Sequence, residues 1–171
     1  MDGQITWLLI FLVLAQRISE LIISRRNELK LMQAGAKELD RNGYRLLIGM
    51  HVAFFISMIL EVTILKKGLN GWWIFLVLIF LAAQVLRYGA MASLGIYWNT
   101  KILVAPNHPI IRKGPYKLLR HPNYIAVVME LAVIPLMFSC YITSVVFTLL
   151  NAIMMSRRMR IETAALSHFP Q

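Results

Sequence analysis

The sequence predicts an all-α integral membrane protein, and three observations carry that expectation. Apolar residues make up 58% of the 171-residue chain, and the mean hydropathy is +0.64. Only 15% of residues are charged, where a soluble domain holds about a quarter. The apolar residues also gather into runs close to the ~20 residues that a spanning helix needs. One membrane domain, residues 1–171, is the natural unit for this length.

About five spans are expected, near 5–23, 44–65, 72–98, 124–138 and 142–156, with polar connectors at 24–43 and 99–123 and a helical tail at 157–171. The first run is interrupted by Gln16, Arg17, Ser19 and Glu20 near its end, which reads as side chains snorkelling toward headgroups. Arg17 and Glu20 stand three apart and share a face, so pairing is the alternative. The following connector carries only a weak stripe (Leu29, Met32, Ala36), suited to lying along a membrane surface. His51 and Glu61 are embedded in the second span, His51 reading as a core histidine. Trp72 and Trp73 open the third span as an interfacial belt.

Arg87 lies deep in the third span, where a charge normally faces protein, water or a counter-ion. It is expected to help shape a polar cavity, with snorkelling as the alternative and Glu61 as a weak candidate partner. The last two runs join through Ser139-Cys140-Tyr141, a tight hairpin whose first arm contains Glu130 and a kinking Pro135.

Charge placement sets the orientation. Fourteen of the eighteen basic residues fall in 24–45, 99–123 and 156–171. Positive-inside bias then puts both connectors and the tail in the cytoplasm, with the N-terminus outside. A bacterial cell membrane is the expected location. Met1-Asp2-Gly3 lacks the positive start of a secretory signal, so the first run is expected to be retained.

Several function classes drop out. The net charge of +10 reports topology and headgroup contact rather than nucleic acid, since no basic recognition helix or metal-finger spacing accompanies it. Cys140 is the single cysteine, so no internal disulfide or cysteine-based metal cluster is possible. The four histidines show no metal-ligand spacing. No Gly-x-Gly-x-x-Gly follows a strand, which removes a soluble dinucleotide-binding domain.

Chemistry concentrates in Gly114-Pro115-Tyr116-Lys117-Leu118-Leu119-Arg120-His121-Pro122-Asn123-Tyr124. Gly114-Pro115 marks a turn, and Pro122 biases His121 away from helical geometry. An apolar run starts at Ile125, so this cationic island sits at a helix mouth, where free N–H groups can hold an anion. Further on, Arg158 and Glu162 are four apart on one helical face. Cation before anion is the weaker order for helix stabilisation, which favours a ligand role for the pair.

These residues carry a resemblance. Gly114-Pro115-Tyr116-x-x-x-Arg120-His121-Pro122-x-Tyr124, followed by Arg158-x-x-x-Glu162-x-x-x-Leu166, is similar to the isoprenylcysteine carboxyl methyltransferase family over about residues 100–169. The resemblance implies a membrane-embedded enzyme using S-adenosylmethionine and releasing S-adenosylhomocysteine. Its cofactor pocket would lie on the cytoplasmic side, between the 99–124 connector and the C-terminal helix. The implied cofactor contacts are His108, Pro109, Ile110, Ile111, Tyr116, His121, Pro122, Asn123, Tyr124 and Glu162, with weaker support for Lys101; the implied catalytic residue, facing the methyl acceptor, is Arg158. No metal is implied. Two positions depart from the pattern: Ala126 stands where the family usually has glycine, and Thr163 reduces the acidic pair after Glu162.

The expected function is methyl transfer from S-adenosylmethionine to a lipophilic small molecule drawn from the bilayer. The acceptor is an alkylpyrone-like hydroxyl, as in some bacterial members, or a prenylcysteine-like carboxylate. The alternatives are an NAD(P)H-dependent membrane lipid or sterol reductase, whose relatives carry a similar Arg-His-Pro-Asn-Tyr turn, and a non-enzymatic helical scaffold.

Overall fold

The computed structural model describes residues 2–106 and 111–167. Five helices dominate: α1 (Asp2–Gln33), α2 (Arg41–Ile64), α3 (Trp73–Leu94), α4 (Pro122–Met137) and α5 (Tyr141–Ser167). Two three-residue strands, β1 (Lys37–Leu39) and β2 (Ile102–Val104), lie in the two long connectors. The stretches Gly3–Gln33, Arg41–Ile64 and Trp73–Tyr97 are long and apolar enough to cross a membrane, and Pro122–Met137 is a shorter apolar helix. Their outward faces carry large apolar side chains, among them Phe11, Ile64 and Val85. That surface suits lipid contact, where every backbone polar group must be satisfied within the helix. The chain is an all-α integral membrane protein.

Each helix end has a local cause. α2 starts at Asp40, held in the left-handed region (φ 54°), whose side chain accepts from Gly43 N. Pro122 occupies the first turn of α4, where its missing N–H costs nothing. α4 is 16 residues long, about 24 Å against the ~30 Å of a hydrocarbon core. It turns back at Phe138–Cys140, inside the protein: Phe138 and Cys140 are 0% exposed. Cys140 N donates to Pro135 O (2.9 Å), closing the turn. At the start of α5, Thr143 N donates to Glu61 Oε2 (2.7 Å). Glu61 is therefore an anion on the positive end of a helix rather than a partner of Arg87.

α3 packs along α4, α4 along α5, and α5 along α2. Ile10 and Val13 of α1 join Phe54, Met58, Leu131 and Ile134 in the apolar core. Deeper polar groups bind α1 more specifically. Arg17 reaches Glu20 (3.0 Å) and, across the bundle, Glu130 of α4 (2.5 Å). Arg87 of α3 pairs with Glu130 (2.9 Å) and with Glu20. Gln84 donates to Glu130 Oε1 (2.7 Å), and Gln16 donates to both Gln84 Oε1 (2.5 Å) and Glu20 Oε1 (3.0 Å). Glu20, Arg87 and Glu130 are all buried. This overturns snorkelling for Arg17, Glu20 and Arg87: the counter-ions come from other helices.

Sequence reading also placed the first connector along the membrane surface. Instead α1 runs on as one helix to Gln33, and the chain then forms β1. β1 pairs antiparallel with β2 in the register Lys37↔Val104, Glu38↔Leu103, Leu39↔Ile102, fastening the two connectors together.

Removing Glu130 leaves Arg17 and Arg87 as neighbouring buried cations. Breaking a buried pair costs roughly 3–5 kcal/mol, so Glu130→Ala should lower the thermal unfolding midpoint in detergent much more than an exposed control such as Arg160→Ala. Equal midpoints for the two variants would contradict the network's role.

Candidate active site

The site residues cluster at the end of the bundle that carries both long connectors. Gly114–Lys117 forms a 3-10 turn seated on α3. Gly114 has φ +56°, and a Cβ there would stand 2.2 Å from Ser93 Oγ. A Cβ on Gly89, one turn earlier on α3, would meet Pro115 at 3.1 Å. Small residues on α3 thus make the seat for the Gly-Pro turn, and that seat fixes Tyr116 and the approach to α4.

Beyond it, the His121 and Tyr124 rings stack with centroids 5.3 Å apart and an interplanar angle of 3°. Tyr124 OH donates to Glu162 Oε2 on α5 (2.7 Å), and His121 Nδ1 lies 4.0 Å from the same oxygen. Tyr116 is half-buried nearby; burial and then the Glu162 charge push its phenol well above the ordinary range, so it stays a protonated donor. Tyr116, His121, Tyr124 and Glu162 form one cluster. Pro122 is buried beside them as the first residue of α4.

One helical turn before Glu162, Arg158 is 4% exposed. Its Nη2 donates to Thr100 O (2.8 Å). Its Nε and Nη1, and the Oδ1 of Asn123, are buried without a hydrogen-bond partner among the described residues. Buried polar groups are ordinarily satisfied, so unpaired ones mark a place for a ligand or water.

Arg158, Asn123 and Tyr124 face a cavity of about 280 Å³. Its walls are mainly aliphatic and aromatic side chains of α1 and α2, such as Ile18, Leu47 and Phe55, and Arg17, Glu20 and Arg87 line its deep part. Ile18 and Val52 line the cavity and are also more than half exposed, so the wall between α1 and α2 opens on the lipid-facing surface.

Lys101 stands apart from this cluster. Its Nζ donates to Glu28 Oε1 (2.9 Å) and Glu38 Oε2 (3.2 Å) and lies 5.4 Å from the centroid of the Tyr44 ring. Desolvation lowers its pKa, but the hydrogen bonds to the two carboxylates outweigh that and hold the ammonium above the ordinary lysine value. Ile111 is half-buried at the edge of the connector. His108, Pro109 and Ile110 lie outside the described residues.

The sequence reading missed His51, Trp98, Asn99 and Thr100 as cavity residues. Charges and a histidine inside apolar runs were the available signal for the deep part. No sequence signal marked Thr100, which contributes a main-chain carbonyl.

A model of the isoprenylcysteine carboxyl methyltransferase family matches residues 75–168. The chain is 42% identical to the uncharacterised protein YpbQ of Bacillus subtilis, over 95% of this chain and 97% of that one. It is 30% identical to an uncharacterised protein of Haemophilus influenzae, over 93% of this chain and 94% of that one. No solved structure matches it.

Replacing Gly114 by alanine should cost about 1–2 kcal/mol through left-handed backbone strain alone, plus the clash with Ser93. Ser93→Gly in the same chain should recover the clash component and leave the strain. Thermal unfolding of the single and double variants checks this.

Proposed function

The chain belongs to the isoprenylcysteine carboxyl methyltransferase family, and we propose that it is an S-adenosylmethionine-dependent O-methyltransferase acting on a lipophilic acceptor from the bilayer. The observation that carries this reading is the junction of two unlike environments at Arg158. On one side is a polar cluster open to the connectors, and on the other an apolar cavity open between α1 and α2.

The residues present fit the cofactor. Glu162 Oε2 is engaged by Tyr124, while Oε1 has no partner among the described residues and can take an ammonium. His121 and the first amides of α4 suit a carboxylate. The faces of Tyr116 and Tyr124 can pack on an adenine or lie near a cationic sulfur. When bound, S-adenosylmethionine supplies an electrophilic methyl group on a sulfonium.

Arg158 directs its two unpaired nitrogens at an anionic acceptor oxygen and fixes that oxygen's position. Holding both reactants in line accounts for much of the rate in such a transfer. An acceptor oxygen that arrives ionised needs no separate base. An alkylpyrone-like enolate and a prenylcysteine-like carboxylate both meet that condition, and both carry chains suited to the lipid-side opening. The connectors and tail lie in the cytoplasm in this reading, where the cofactor is available.

Calorimetric titration of the detergent-purified protein tests the reading. S-adenosylmethionine and S-adenosylhomocysteine should bind saturably. Glu162→Gln should weaken S-adenosylmethionine roughly tenfold or more, since hydrogen bonds to charged groups contribute about 1.5–3 kcal/mol. Arg158→Ala should keep cofactor binding and lose methyl transfer. A folded wild-type protein that binds neither compound overturns the proposal.

A further inference from the structure

His51 lies in the cavity wall and has no part in the chemistry above. Its Nδ1 is 2.9 Å from Leu47 O. A carbonyl oxygen only accepts, so Nδ1 carries the proton and donates. With one proton on the ring, Nε2 holds a lone pair, and it has no hydrogen-bond partner among the described residues. Around it, Leu47, Ile48, Val52 and Phe55 make the α2 wall apolar. An acceptor nitrogen in such a wall is unfavourable unless something in the cavity donates to it.

The floor offers the complementary group. Arg87 lines the same cavity, and its Nε is buried without a partner among the described residues. It lies close enough to His51 for their electrostatic interaction to register. A hydroxyl matches both: its O–H donates to His51 Nε2, and its oxygen accepts from the guanidinium. An alkyl or prenyl chain matches neither.

Depth narrows the choice further. Tyr44, seven residues before His51 on α2, reaches Thr100 Oγ1 (3.1 Å), and Thr100 O holds Arg158. Seven residues of helix rise about 10 Å. The His51 ring leans back one turn to reach Leu47 O, leaving about 5 Å between Nε2 and the level of Tyr44. That spacing suits two oxygens on one ring.

We propose that His51 is a specificity-determining residue that accepts a hydrogen bond from a second hydroxyl of the acceptor, deeper than the oxygen held at Arg158. The inference rests on the methyltransferase reading and narrows its acceptor to a compact head bearing two oxygen functions and an alkyl chain. His51 is a positioning group here; the proton of the second hydroxyl stays in place.

The test uses two matched amphiphiles: an alkylresorcinol, and the meta-alkylphenol of the same chain that lacks one hydroxyl. Each is titrated into the full-length protein in detergent, with and without S-adenosylhomocysteine. The wild type should bind the alkylresorcinol roughly tenfold more tightly, the usual scale for one satisfied hydrogen bond. His51→Phe should abolish that preference while changing alkylphenol affinity less than about twofold, and His51→Gln, whose amide oxygen still accepts, should restore part of it. Equal weakening of both probes in His51→Phe would mean packing and overturn the proposal, as would an unchanged preference or a wild type that binds neither probe. Absence of S-adenosylhomocysteine binding, with the His51-dependent preference intact, would sink the methyltransferase reading and leave the role of His51 standing.

Discussion

Two arginines and two carboxylates have to be kept together inside an apolar bundle, and much of the architecture follows from that constraint. Any one of Arg17, Glu20, Arg87 and Glu130 alone would be very costly to bury. Together they are neutral, and the amides of Gln16 and Gln84 occupy lone pairs the guanidinium groups do not reach. The network ties α1 to α3 and α4 with a directionality that apolar contacts lack in lipid, where the hydrophobic drive between helices is weak. It also leaves a polar floor under a cavity walled by aliphatic side chains. Apolar replacement of the whole set could pack as well or better, so its retention fits a use for polarity at that depth.

At the connector end, precision comes from several short-range devices. The β1–β2 pair fixes one connector on the other. Lys101 joins α1 to β1 through Glu28 and Glu38. Arg157 grips Asp40 with two hydrogen bonds of 2.9 and 2.7 Å, docking α5 on the start of α2. A Cβ on Gly43 would meet both partners, at 2.0 Å from Asp40 and 2.3 Å from Arg157, so glycine is required for that grip. Arg158 follows directly in sequence, and its buried aim is set by the neighbour that anchors the helix.

The helices were legible because apolar runs, Pro122 and the Gly114-Pro115 turn act locally. The Tyr116, His121, Tyr124 and Glu162 cluster was legible too, since a helix-start motif and an i, i+4 pair fix local geometry once the two helices pack. What the sequence hid was long-range. Arg17 looks like a snorkelling side chain until Glu130, 113 positions away, is seen beside it. Glu61 reads as a stray charge until the hairpin folds α5 onto it. Lys101 sits at a motif-like position, yet carboxylates from α1 and β1 decide where its ammonium goes. The two strands are three residues each, too short for any periodicity to show.

The unpaired groups of Arg158 and Asn123 are best understood against this background of near-complete pairing. The deep arginines share two carboxylates, and Lys101 takes two for itself. Arg158 receives one carbonyl and leaves Nε and Nη1 bare, although Glu162 is only one helical turn away. Tyr124 holds Glu162 through Oε2 instead, keeping anion and cation of the same helix face apart. A direct Arg158–Glu162 bridge would satisfy both and close the passage between the polar cluster and the cavity. Holding them apart costs stability, and it preserves the separate binding of a cationic group on one side and an anionic oxygen on the other. Methyl transfer from a water-soluble donor to a membrane-dissolved acceptor requires that separation.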